Sequence, residues 1–159
     1  MIRGWLLAAA LVAPASHAAD PDARTNWFGD PWFQVSNGIA GCPEPLGPLV
    51  TEAEALRQSH HRNERGLRCY LEKRCRLPNA FDYDRGIAAR IEASAARFIP
   101  HPSTLWVLVQ GRRVWIQGCV GKGYAKGGLE RALRAVPEVE LAMEEVRVGP
   151  SGAVPYRVR

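Results

Sequence analysis

Two short alternating runs, TLWVLVQ at 104–110 and RVWIQGCV at 113–120, stand two residues apart with Gly111 and Arg112 between them. Alternation with period two over branched and aromatic residues predicts strands, and a two-residue link containing glycine predicts a tight hairpin. This pair constrains everything around it. If Leu105, Val107, Val114 and Ile116 face a core, then Trp106, Leu108, Trp115 and Cys119 point the other way. A sheet apolar on both faces must be covered on both or expose a sizeable patch.

The flanking sequence supplies one cover. A helix is predicted over 83–98, with Ile87, Ile91, Ala95 and Phe98 on one side and Pro100 and Pro102 ending it. A second is predicted over 124–135, with Ala125, Leu129, Ala132 and Leu133 turned inward, and a last strand follows over 140–148. The order helix, strand, strand, helix, strand predicts an α+β fold, a small αββαβ sandwich of one three-stranded sheet with two helices on one face.

Upstream, Thr51 and Glu54 form a capping box in TEAE. Beyond it Leu56, His60, Asn63, Leu67 and Leu71 fall on one stripe of a further helix, weakened by Gly66. The segment 26–48 is rich in Pro, Gly and aromatics and has no sustained period, so its order should come from what it packs on. The chain then divides into an N-terminal extension at 19–79, partly helical, the αββαβ unit at 80–150 and a tail at 151–159. The extension is expected to cover the outer sheet face through Trp27, Phe28, Trp32 and Phe33 or the helix after them, shielding Trp106 and Trp115. The rival is that these aromatics stay exposed and dip into a membrane interface, where Trp is favoured.

The first residues read as an export signal: Arg3, nine apolar residues at 5–13, then Ser16 and Ala18 flanking a cut near Ala18. Such a run is too short to cross a bilayer, which takes roughly 20 residues. No cysteine precedes Cys42 to carry a lipid, no later segment is apolar for long enough to be a membrane helix, and a periplasmic location is expected. About 141 residues remain, enough for one domain.

Export to an oxidising space makes two disulfides the default for Cys42, Cys69, Cys75 and Cys119. Their spacing does not suit zinc, whose ligands come in close pairs, and no CxxC pair suggests thiol chemistry. Three pairings are open to the sequence. Closure cost favours Cys69 with Cys75, leaving Cys42 for Cys119.

Charge is uneven. The whole chain carries +5, and after the leader the excess lies in the C-terminal half. There Arg112, Arg113, Lys122, Lys126, Arg131 and Arg134 face only Glu130 in 103–136, and four glutamates follow in 137–146. The plain alternative is solvated charge with cations near a helix C-terminus.

The stretch CVGKGYAKGG between strand and helix invites a phosphate-cradle reading. The motifs do not fit. A Walker loop needs glycine where Ile116 stands and a hydroxyl residue where Gly123 stands, and the dinucleotide pattern fails because Gly127 comes one residue late. The preceding hairpin argues the same way, since such sites sit in parallel βαβ units. For metals, His60 and His61 with Glu64 lie within reach on a helix, but His60 is on the predicted buried stripe among arginines and is expected to be a packed histidine.

Asp84, Ile87 and Ile91, then Val114, Ile116, Gly118 and Val120, then Val136, Pro137 and Val139 resemble the BON domain, a small bacterial envelope module. Its pattern is a helix with spaced isoleucines, the run V-x-L-x-G-x-V, and a helix leading into a V-P-G-V strand. The resemblance covers about 83–148. Glu138 departs from the usual glycine, and Gly127 with Gly128 loosens a helix by about 1 kcal/mol each.

The resemblance implies a non-enzymatic module that meets phospholipid headgroups or envelope proteins. Joined to the charge pattern, it predicts binding of anionic phospholipid through Arg112, Arg113, Lys122 and Lys126. Protein scaffolding through an edge strand and the acidic last strand is the alternative. An enzyme is a distant third, with only scattered His60, His61, Asp82 and Asp84. No cofactor and no metal site are expected, and export argues against nucleic acid despite a pI near 9.3.

Overall fold

The computed structural model describes residue 20 and residues 22–159; the predicted export signal and its cut lie outside the described residues. Gln110 pairs with Arg113, so Gly111 and Arg112 alone make the turn joining β2 (Ser103–Gln110) to β3 (Arg113–Val120). Both turn residues have positive φ, 61° and 65°, as a primed hairpin turn requires. For Arg112 that conformation costs roughly 1–2 kcal/mol. Asp84, 2% exposed, offsets it by accepting both turn N–H groups, Gly111 at 2.5 Å and Arg112 at 2.8 Å.

That aspartate opens α3 (Asp84–Ser94), which lies with α4 (Gly128–Arg134) on one sheet face. Ile87, Ile91, Leu129 and Leu133 bury there against Leu105, Val107, Val109, Val114 and Ile116, the face predicted from alternation. Gly118 has φ 139°, and a Cβ would stand 2.1 Å from the Thr104 carbonyl oxygen. No other residue fits where the two strands approach this closely.

The sheet has four strands, not three, with the β2–β3 hairpin at its centre. The added strand β1 (Trp32–Asn37) comes from the aromatic segment and pairs antiparallel with β2, with a register shift between Gln34 and Ser36. That irregularity removes the periodicity a strand would otherwise show. β4 (Leu141–Val148) pairs parallel with β3, so β3, α4 and β4 form a parallel βαβ unit. The hairpin argument against a phosphate cradle therefore fails, although the motif argument stands.

The outer face is covered, but not by the residues expected. Trp32 lies within the sheet, in a row with Leu108, Trp115 and Met143, Phe33 packs toward the helix-side core, and Trp27 and Phe28 are exposed. The cover is the segment 42–50 together with the C-terminal tail. Cys42 is bonded to Cys119 on the outer face, and Pro45 is buried. The Tyr156 hydroxyl donates to the Pro43 carbonyl at 2.9 Å, and Pro45 bridges to Val158. Trp106 and Trp115 end up half-buried.

The second disulfide joins Cys69 and Cys75. Both pairings follow the closure argument, and disulfides of this kind belong to chains that fold in an oxidising compartment. No helix among the described residues is long and apolar enough to cross a membrane.

Candidate functional site at the hairpin end

Helix α1 (Glu52–Glu64) begins as predicted, with Thr51 and Glu54 exchanging backbone bonds in a capping box. Its buried face is the opposite of the predicted one. Leu56 is 68% exposed and His60 is exposed beside Glu64, so the packed-histidine expectation is corrected. Ala55 is buried, and Gln58, Arg62 and Arg65 line the protein side.

The reason is what lies beneath. Arg62 bonds the Asp30 carboxylate through both terminal nitrogens, with side chains only 12% and 4% exposed. Its guanidinium sits 3.9 Å from the Phe28 ring centroid and 3.7 Å from that of Phe81. Gln110 at the end of β2 donates to the same carboxylate at 2.6 Å. The helix thus docks through a buried charge pair held by aromatic rings rather than through an apolar stripe.

Two open clefts, about 560 Å³ and 450 Å³, flank this helix end and share Arg65 as a wall. The first is lined also by Arg57, His61, Arg62 and Phe81. The second runs between the hairpin tip and α2 (Leu67–Leu71), past Arg68, Arg74, Arg112 and Arg113. Arg65 Nη2 is buried without a hydrogen-bond partner and lies 3.9 Å from Glu140. Burial, and then the neighbouring Arg113, pull this guanidinium below its ordinary pKa. A desolvated cation with an unmade bond gains from an anionic oxygen.

Of the four predicted binding residues, the structure brings together two. Arg113 is exposed at the second cleft. Arg112 lines it too, but is committed inward, donating from Nε to the Glu138 carbonyl at 2.9 Å and from Nη1 to Cys75 Sγ at 3.0 Å. Lys122 and Lys126 lie beyond the far end of β3, an eight-residue strand that spans roughly 25 Å. They do not share a site with the arginines.

The glycine-rich loop next to those lysines is filled from within. The Glu144 carboxylate accepts from the Tyr124 hydroxyl at 2.8 Å, from Gly127 N–H at 3.0 Å and from Glu130 N–H at 3.2 Å. It occupies the place an anion would take at the start of α4. Burial, together with the acceptor it faces, raises the Tyr124 hydroxyl to about 12.

Beside the second cleft, α2 presents Leu67, Tyr70 and Leu71 to solvent, Leu71 at 69%, among Arg68, Lys73 and Arg74. Sequence reasoning missed Arg57, Arg65, Arg68 and Arg74, although a signal existed. Between Arg57 and Arg76 stand seven cations against Glu64 and Glu72. Averaging over 19–79 hid it, because the balancing acids lie upstream. Comparison with family profiles, curated proteins and solved structures finds no match to this chain.

Proposed function

We propose that the protein is an exported, non-enzymatic module of the bacterial envelope, BON-like in its C-terminal half, that associates with anionic phospholipid through the hairpin end. The observation that carries this reading is the adjacency of the arginine clefts to exposed Leu67, Tyr70 and Leu71. Cations near an anionic surface contribute about 1 kcal/mol each, and apolar side chains entering the interface add roughly 25 cal/mol per Å². Tyr70 and Leu71 lie inside the loop closed by the Cys69–Cys75 disulfide, so they lose little conformational freedom on contact.

Three features support the BON-like part. Asp84 has a defined task in tying down the hairpin turn, and Gly118 stands where no side chain fits. Glu138 has φ 72°, which makes the glycine of the resembled pattern understandable, since that conformation favours glycine.

The scaffolding alternative loses force because the acidic strand is internally engaged. Glu138 pairs with Arg76 and Arg90, Glu144 caps α4, and Glu145 accepts from Gln117. Flotation with vesicles of phosphatidylglycerol and phosphatidylcholine tests the proposal. The parent should float with anionic vesicles and not with neutral ones, and Leu71→Ser should weaken it. A parent that never floats returns the reading to protein scaffolding.

A further inference from the structure

Cys69 and Cys75 stand six positions apart, without the close spacing of a redox motif, and the fold brings from a distance what that spacing lacks. Arg112 reaches the pair from the hairpin turn, its Nη1 standing 3.0 Å from Cys75 Sγ. It is fixed there from two sides. Its Nε donates to the Glu138 carbonyl at 2.9 Å, and its backbone N–H is held by Asp84. A disulfide sulfur is neutral and accepts only weakly, so this donor is underused while the bond is closed. Once the bond opens, the same contact becomes a charge-assisted bond to a thiolate, about twice as strong. Arg112 therefore stabilises the opened pair more than the closed one and makes Cys75 the better leaving sulfur.

Access is unequal in the complementary sense. Cys69 lines the second cleft together with Arg65, Arg68, Arg74 and Arg113, and Cys75 does not. An incoming thiolate is an anion and is drawn to that wall. Glu72, inside the loop, is shared by Arg68 and Arg74, which leaves Glu140 as the other carboxylate near the path. At the Cys42–Cys119 disulfide the surroundings are the reverse. Cys119 is fully buried, and Cys42 Sγ lies by the carbonyl oxygens of Pro43 and Thr104, which would oppose a thiolate.

We infer that Cys69–Cys75 is a thiol–disulfide exchange site for a dithiol reductant, attacked at Cys69 and opened toward Arg112. The incoming thiolate forms a bond to Cys69 Sγ, the Cys69–Cys75 bond breaks, and its electron pair leaves on Cys75 Sγ beside Arg112. The second thiolate of the dithiol then attacks its own sulfur in the mixed disulfide and releases Cys69 as a thiolate. The dithiol ends as a disulfide, and the cysteine pair has gained its two electrons. The site does not rest on the lipid reading.

The test exposes the folded full chain to glutathione, quenches with N-ethylmaleimide and maps the cysteine peptides. The parent should carry glutathione on Cys69 and maleimide on Cys75, with Cys42–Cys119 intact. Arg112→Gln should slow this opening roughly tenfold, and Arg112→Lys, which keeps the charge, should retain most of the rate. The sign separates the chemistry from simple loosening, because a loop freed by loss of Arg112 would open faster. Glutathione on Cys75, no adduct on Cys69, or equally ready opening of Cys42–Cys119 overturns the inference, and this map of the parent stands whatever the stability of the variants. A rate in Arg112→Gln equal to the parent's or above it overturns it as well. Vesicle flotation is read separately and bears only on the lipid proposal.

Discussion

The two ends of the sheet carry similar ingredients and put them to opposite uses. At the far end a glycine-rich loop with Lys122 and Lys126 leads into a helix, the arrangement most often associated with phosphate. There Glu144 takes the N–H groups for itself. At the hairpin end no local motif announces anything. Yet the approach of the turn to the α1 end gathers Arg57, Arg65, Arg112 and Arg113 around open clefts, and leaves Arg65 Nη2 without a hydrogen bond. Whether donors are free depends on what the fold brings back to them, which a local spacing does not record.

The sharpest way to break the comparison is at the hairpin end itself. Arg62→Ala strips the buried Asp30 carboxylate of its ion pair and should destabilise the protein by about 3–5 kcal/mol, measured by urea unfolding. An effect below about 1 kcal/mol would mean that the buried pair does not hold α1 against the hairpin.

The pH dependence comes next. Burial raises Asp84 to about 6 from its ordinary 3.8, against the opposing bonds from Arg112 and Gly111. Between those values the folded chain holds a proton that the unfolded chain releases. This group's contribution to stability is therefore gained as pH falls through about 6 toward 4 and lost as pH rises, up to roughly 3 kcal/mol in all. Comparing urea midpoints at pH 7 and pH 5, the parent should gain more than Asp84→Asn. Equal gains would remove Asp84 as the source.

Glu144→Ala converts the far end toward the near one. Loss of the carboxylate leaves Gly127 and Glu130 N–H groups unfilled and should cost about 2 kcal/mol. Inorganic phosphate should then raise the melting temperature of the variant more than that of the parent. If phosphate stabilises both alike, the loop is not an anion cradle held shut by Glu144.

These contrasts mark what the sequence could express. The hairpin, α3 and α4 were legible because each carries a clean period over buried residues, Ile87 to Ile91 and Leu129 to Leu133 among them. The disulfide pairing followed from loop closure. What stayed hidden depends on distant partners. The inner face of α1 is set by Asp30 and Phe81, which the stripe through Leu56 does not reveal. β1 is a six-residue edge strand with a register shift. The tail becomes a strap only because Tyr156 and Val158 meet the segment around Pro45. Parallel pairing of β4 is invisible to a pattern that reads each strand alone. At the candidate site Arg113 was foreseen, whereas Arg65 belongs to a stretch whose charge vanished in the average.

The smallest effect separates the two ends directly. Arg113→Glu and Lys122→Glu change the net charge equally, and both side chains are exposed, so neither should alter the fold. With a Debye length near 10 Å at 0.1 M salt, a cation some 25 Å from the contact adds little, whereas one beside Leu67 and Leu71 lies within the anionic field. Arg113→Glu should therefore weaken flotation with phosphatidylglycerol vesicles by about 1–2 kcal/mol, roughly five- to thirtyfold, and Lys122→Glu by less than about twofold. Lowering the salt to about 10 mM lengthens screening to about 30 Å and should draw the two variants together. Equal losses at 0.1 M salt would place the contact on a face that includes both ends, and a larger loss with Lys122→Glu would move the membrane side to the glycine-rich loop.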